Sequence, residues 1–230
     1  MTSSTLGRLA ARLKLRIKNS PDRFLGDVTG VVHVGANTGQ ERKLYGRLGL
    51  QVLWIEPIPE IFAALQDNLT GLVGQRAIQS LVTDRDGAQY RFNVASNNGA
   101  SSSILELGQH KDIWPQVQFT RNIDLTGVTL STLYEREGIN PARYQALVMD
   151  TQGSELLVLK GAIALLRHFS YVKTEAPDFE SYKGCCRLAD IESFMATQGF
   201  QELVRRKFAT HPQGGSYFDV VYKNKEPPRP

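Results

Sequence analysis

The chain lacks the features that would place it at once in a membrane, a disulfide scaffold or a zinc domain. No window approaches the roughly eighteen apolar residues that a membrane-spanning helix needs. No apolar core of a secretory signal appears either. Its two cysteines, Cys185 and Cys186, are neighbours, which argues against a disulfide within the chain and fits a reducing cytoplasm. A second cysteine pair at zinc-finger spacing is missing, so the two read as small apolar residues. Acidic residues are absent before Asp22. The net charge of +4 is too mild to point to nucleic acid, and no internal repeat is present.

What is there is an ordinary globular composition, 41% hydrophobic and 22% charged over 230 residues, enough for one large α/β domain. The basic excess is concentrated between Thr5 and Lys18. There Leu6, Leu9, Leu13 and Ile17 recur at helical spacing among Arg8, Arg12, Lys14, Arg16 and Lys18. Three readings stand: a helix docked on the domain or on a second subunit, a membrane-surface helix, and an organelle transit peptide. The expected division is a basic amphipathic helix over 1–25, a catalytic domain over 26–224 and a disordered Pro-rich tail over 225–230.

Apolar runs and breakers predict strands at Val31 to Val34, Val52 to Ile55 and Ala77 to Val82, with helices from Gly39 to Gly49 and Pro59 to Asn68 between them. Asp86-Gly87 reads as a hairpin turn into a strand from Tyr90 to Val94, and Val117 to Leu125 as another strand. A short helix from Leu130 to Glu137 follows. Alternation resumes with a strand from Ala146 to Met149, a helix capped by Ser154 and running to Arg167, and a strand from Tyr171 to Thr174. A helix from Leu188 to Gln198 precedes two strands, Phe200 to Phe208 and Ser216 to Tyr222, whose short loop makes them antiparallel. The expectation is a Rossmann-like, mostly parallel seven-stranded sheet with an antiparallel last strand and a β-hairpin insertion after strand three.

The organising stretch is the first βαβ unit. A strand stops at Gly35-Ala36-Asn37-Thr38-Gly39, and the next strand ends on Glu56, held extended by Pro57. A carboxylate there suits the two hydroxyls of a ribose. A dinucleotide would want G-x-G-x-x-G, and this turn fails that register. No Tyr-x-x-x-Lys pair supports a nicotinamide enzyme of sugar metabolism, the competing class, either. S-adenosylmethionine carries no phosphate and asks instead for a tight turn close to its methionine end, where Asn37 can adopt positive φ.

Four segments carry a family resemblance: Val32 to Glu41 (VHVGANTGQE), Trp54 to Pro57 (WIEP), Gly99 to Leu105 (GASSSIL) and Val148 to Gly161 (VMDTQGSELLVLKG). Over about Gly30 to Lys223 the chain resembles the FkbM family of class I S-adenosylmethionine-dependent methyltransferases. The resemblance implies that cofactor and methylation of a hydroxyl on a carbohydrate or other small molecule. It implies cofactor contacts from His33, Gly35, Ala36, Asn37, Gly39, Glu56, Pro57, Asp84 and Asp150, with a satisfied core histidine as the competing reading of His33 and a hairpin-flanking aspartate as that of Asp84. His33 departs from the general class I pattern, which has an acidic residue at that position serving the methionine ammonium.

An alcohol is a poor nucleophile at neutral pH, so a base is wanted. Asp150, at a strand carboxyl end, is the first candidate, with turn-shaping as the competing role. Glu175 is a second carboxylate, and His211 in the last hairpin a third candidate base. No metal-ligand set can be named. Asn98, Ser102, Ser103 and Gln152 suit a polyhydroxylated acceptor, with Asp178 and Tyr182 as an opposite wall. A hydroxylated small molecule or glycan is the expected partner, not nucleic acid. A non-catalytic module keeping the fold is the remaining alternative.

Overall fold

The computed structural model describes Gly7, Arg8, Ala11 and residues 20–226. Its elements in chain order are β1 (Gly30–Val34), α1 (Arg42–Leu48), β2 (Gln51–Glu56), α2 (Pro59–Leu69), β3 (Gln75–Gln79), β4 (Leu81–Val82) and β5 (Gln89–Ala95). Then come α3 (His110–Ile113), β6 (Phe119–Val128), α4 (Leu130–Arg136), β7 (Ala146–Met149), α5 (Glu155–Gly161) and α6 (Ile163–Leu166). β8 (Tyr171–Pro177), α7 (Leu188–Thr197), β9 (Phe200–Thr210) and β10 (Ser216–Asn224) complete the chain.

The main sheet has seven strands in the order β3-β2-β1-β7-β8-β10-β9. The first five are parallel, and β10 runs antiparallel to both of its neighbours. This is the expected class I arrangement, with the antiparallel last strand inserted between β8 and β9. Central parallel strands are covered on both faces, so β1 and β7 are buried along their whole length. Alternate residues serve opposite layers. Val32, Val34, Leu53, Leu147 and Met149 pack on the side of α4, α5 and α7. Val31, Val52, Trp54, Ala146 and Val148 pack with Phe24, Tyr45 and Leu48 on the other side. Each fully buried apolar side chain in these layers contributes roughly 1.5–3 kcal/mol.

Three local expectations are corrected. The run from Ala77 to Val82 is not one strand: β3 ends at Gln79, and Leu81–Val82 pairs instead with β6 in a separate three-stranded sheet, β4-β6-β5. Asp86-Gly87 therefore does not join paired strands. β5 pairs antiparallel with β6, so the inserted ribbon exists but its connection is the long segment after Ala95. Asp86 serves α4 instead, accepting hydrogen bonds from the Thr129 N–H at 2.7 Å and the Thr132 hydroxyl at 2.8 Å. The helix expected from Ser154 to Arg167 is interrupted at Ala162. Gly161 lies against the Thr83 carbonyl, only 2.0 Å from where a Cβ would stand, so the chain there is pinned to β4's exit.

Among the described residues no helix is long and apolar enough to cross a membrane. Most of the basic N-terminal stretch lies outside the described residues, as do residues 227–230 of the tail. Of the stretch, Arg8 approaches Gly49 and Ala11 packs on the second core layer.

Candidate active site

From β1 the chain proceeds outward to β2 and β3, and from β7 it proceeds the other way to β8. Between β1 and β7 the winding reverses, and a cleft opens at the strand carboxyl ends, where ligands bind in such sheets. It holds about 850 Å³ of empty space including its mouth.

The turn after β1 forms one wall. The Gly35 and Ala36 N–H groups donate to the Ile55 carbonyl at 3.0 and 3.1 Å, tying the turn to β2. Gly35 has φ +78°, and a Cβ on it would stand 1.8 Å from the Asp150 carbonyl oxygen, so only glycine lets β1 and β7 close here. Asn37 adopts φ +44°, the left-handed geometry its sequence position suggested, and its side chain donates to the Asn98 carbonyl at 3.1 Å. Glu56 ends β2, buried, and accepts the Asn37 N–H at 2.9 Å on Oε2 and the Ile58 N–H at 3.0 Å on Oε1. Burial pushes its carboxyl up to about 7, against the opposing pull of those two hydrogen bonds. Pro57 lines the cavity beside it. Ala36 and Gly39 do not; they shape the turn from behind, Gly39 lying against Leu65.

His33 reaches the cavity but belongs mainly to the core. It is stacked on Trp54 at 5.1 Å, and its Nδ1 hydrogen-bonds the Tyr45 hydroxyl at 3.2 Å. Burial, aided by the Lys173 charge, lowers its pKa to about 3, so the ring is neutral. Asp84 stands away from the cavity wall; the residues after β3 that reach it are Ser80, Leu81 and Val82. The strand break at Ser80 causes the difference.

The opposite wall is the turn after β7. Asp150 opens into the cavity and accepts a hydrogen bond from Gln152 Nε2 at 2.6 Å. Protein packed around the carboxyl, with Glu41 and Asp219 adding repulsion, pushes it up to about 6, although the residue itself keeps an exposed face toward the cleft. Gln152, at φ +53°, is held in turn by the Tyr182 hydroxyl at 2.7 Å. Ser154 does not cap its helix: its hydroxyl donates back to the Thr151 carbonyl. The Glu155 carboxylate instead reaches back to the turn before the helix, accepting the Thr151 and Gly153 N–H groups at 2.9 and 3.0 Å. Glu175 stands two residues before the end of β8, opposite Asp219 on β10. Burial and the Asp150, Glu155 and Asp219 charges raise its pKa well above the carboxylate range. It lies beside the cavity wall rather than in it.

The loop from Ser96 to Ser103 folds over the cavity instead of standing in solvent. Ser102 lines it while accepting the Ala95 N–H at 2.9 Å, and Ser103 donates to the Gln152 carbonyl at 2.7 Å. Asn98 is exposed, and only its carbonyl is used, by Asn37. The two remaining candidates are structural. His211 is buried, with Nε2 3.1 Å from Asp112 and its ring against Phe179, so it does not reach the cavity. Asp178 accepts the Ser216 N–H at 2.6 Å and fastens the last hairpin. Sequence reasoning missed Glu41, Ile58 and Phe92 among the lining residues. Glu41 ends the turn's own motif and was within reach; Phe92 comes from the inserted ribbon, which no local pattern aims at the cavity.

The cavity fits S-adenosylmethionine. Glu56 puts a buried carboxylate in its wall, as a ribose diol would require; Gly35 leaves the backbone open to close approach, and Ile58, Leu81, Val82 and Phe92 supply apolar surface of the kind a purine would need. A family model described as the methyltransferase FkbM domain matches residues 33–202. No curated protein matches the chain. Among solved structures it is similar to M. capricolum TrmK in complex with S-adenosyl-homocysteine, with 10% identity and a TM-score of 0.52 over 100% of this chain and 72% of that one. It is also similar to the uncharacterized protein LMOf2365_1472 from Listeria monocytogenes serotype 4b (8% identity, TM-score 0.51, 93% and 70% covered). A third is the METTL16 MTase domain (9%, 0.51, 88% and 64%). At these identities the likeness is one of fold. The family match spans most of the chain and all the residues that shape the cavity, and the chain belongs to the FkbM family of S-adenosylmethionine-dependent methyltransferases.

Proposed function

We propose that the protein transfers a methyl group from S-adenosylmethionine to a hydroxyl oxygen of a carbohydrate or another hydroxylated small molecule. The observation that carries this reading is Asp150, a carboxylate opening into the cavity at the end of β7 with its pKa raised to about 6. The cofactor supplies an electrophilic methyl on a sulfonium. What remains for the protein is to orient the acceptor hydroxyl and take its proton. A base with a pKa just below neutrality is ionised at working pH yet basic enough to assist. Gln152 holds the Asp150 carboxylate in one orientation, and Tyr182 holds Gln152. Glu175 stands behind this wall, its carboxyl pushed up by burial and by the Asp150, Glu155 and Asp219 charges.

Among the described residues, the side chains lining the cavity include Glu41, Glu56 and Asp150 and no Lys or Arg. Such a wall supports a neutral polyhydroxylated acceptor over a phosphate backbone. Two free cysteines favour a reducing compartment, the cytoplasm.

The test is transfer of labelled methyl from S-adenosylmethionine into fractionated cell extract, with mass analysis of the labelled product. The expected product carries a methyl ether, and Asp150→Asn abolishes the labelling. Label on nitrogen or carbon, or in a nucleic-acid fraction, overturns the reading.

A further inference from the structure

Glu41 is the cavity carboxylate without a task. It stands immediately before α1 and lines the cavity with Gly35, Gln40 and Asp150. The other two cavity carboxylates are engaged: Glu56 by the Asn37 and Ile58 N–H groups, Asp150 by Gln152. No side chain among the described residues pairs with the Glu41 carboxylate. Lys173, whose charge acts on Glu41, is committed elsewhere, at 2.7 Å from Asp22 and 3.8 Å from Asp219. Burial raises the pKa of Glu41, against the pull of its own backbone N–H and of the Lys173 charge, so no side-chain cation in contact offsets the cost of desolvating the carboxylate.

The cofactor brings a cation to this cavity. Its methionine end carries an α-ammonium group with three N–H donors, away from the ribose that Glu56 is placed to hold. His33, on the neighbouring strand, is neutral and bound to Tyr45, so it offers no negative charge. We infer that Glu41 binds the α-ammonium group of the cofactor's methionine moiety, in place of a carboxylate on β1. A charge-assisted hydrogen bond in a partly desolvated site is stronger than the same pair on the surface.

The inference rests on the cofactor assignment, and two ligands separate the two. S-adenosylhomocysteine carries the ammonium; 5′-methylthioadenosine has the same nucleoside and no amino-acid moiety. Calorimetry on the full chain should show Glu41→Gln weakening S-adenosylhomocysteine about 10- to 100-fold, the range for one lost charged hydrogen bond. Binding of 5′-methylthioadenosine should change less than about twofold by the same measure. Glu56→Ala should weaken both ligands. If Glu41→Gln does not fold, Glu41→Asp, which keeps the charge, carries the test with a smaller loss confined to S-adenosylhomocysteine. Equal weakening of both ligands by the Glu41 variant, or none, overturns the inference. Failure of the wild-type protein to bind either ligand overturns the cofactor assignment with it.

Discussion

The two walls of the cavity are built by different means. On the β1–β2 side the geometry is set by backbone: a glycine that must lack a Cβ at Asp150, an asparagine at positive φ, and a strand-end carboxylate accepting two N–H groups. On the β7 side it is set by side chains from distant segments: Tyr182 on Gln152, Gln152 on Asp150, Ser103 on the Gln152 carbonyl. A backbone-built wall is rigid and changes little with ligand. A side-chain-built wall can be retuned by substitution without disturbing the strands beneath it.

The largest effect should come from the second wall. Asp150→Asn should lower the rate of methyl transfer about 10²- to 10⁴-fold while leaving cofactor affinity little changed, as measured by turnover against calorimetry. Asp150 must be ionised to take the proton, so wild-type activity should rise with pH through about 6, and that limb should vanish in the variant. Persistence of the limb would mean that another group titrates.

Next is the first wall. Gly35→Ala should cost more than ~2 kcal/mol in urea unfolding, through clash and positive-φ strain together. Gly87→Ala, also at positive φ but with open space around it, should lose only about 1–2 kcal/mol. Equal losses would show that the close approach to Asp150 carries no energy.

Glu56 allows a test by pH. Its folded pKa, about 7, lies above the ordinary carboxylate value of 4.5, so the folded state holds its proton more tightly. That stabilising contribution is complete below 4.5 and is lost as pH rises through about 7. The stability advantage of wild type over Glu56→Gln should therefore shrink from pH 4.5 to 8 in thermal melts, on this linkage and to roughly that range. Cofactor affinity should move the other way, rising with pH as the carboxylate becomes a pure acceptor for the ribose hydroxyls. The smallest effect is expected at Ser103→Ala, about 1–2 kcal/mol of unfolding free energy for the lost bridge to Gln152.

The same contrast explains what the sequence made legible. Gly35, Asn37 and Glu56 leave local traces because backbone conformation restricts residue type at one position. The alternation of strands and helices, with a short loop before the last strand, showed a mostly parallel sheet with an antiparallel last strand, though not the order of its strands. The break at Ser80 did not show, because β4 leaves the main sheet to pair with β6, a choice made by residues nearly fifty positions away. His211, a candidate base by residue type, and Asp178, a candidate for the acceptor wall, are fastened, one to Asp112 and the other to the Ser216 amide. Hydrogen bonds between distant side chains have no sequence period, so the acceptor wall could be listed by residue type and not by geometry. Glu41 was overlooked for a smaller reason: it sits inside the turn motif but was read as the start of a helix.

The cofactor wall is the centre of this account, and one titration tests it most directly. Calorimetry of S-adenosylmethionine into wild type and Glu56→Ala should give one site per chain in wild type. The variant should be weakened by about 100-fold, from the loss of charged hydrogen bonds to the ribose. Undiminished affinity in Glu56→Ala would contradict it.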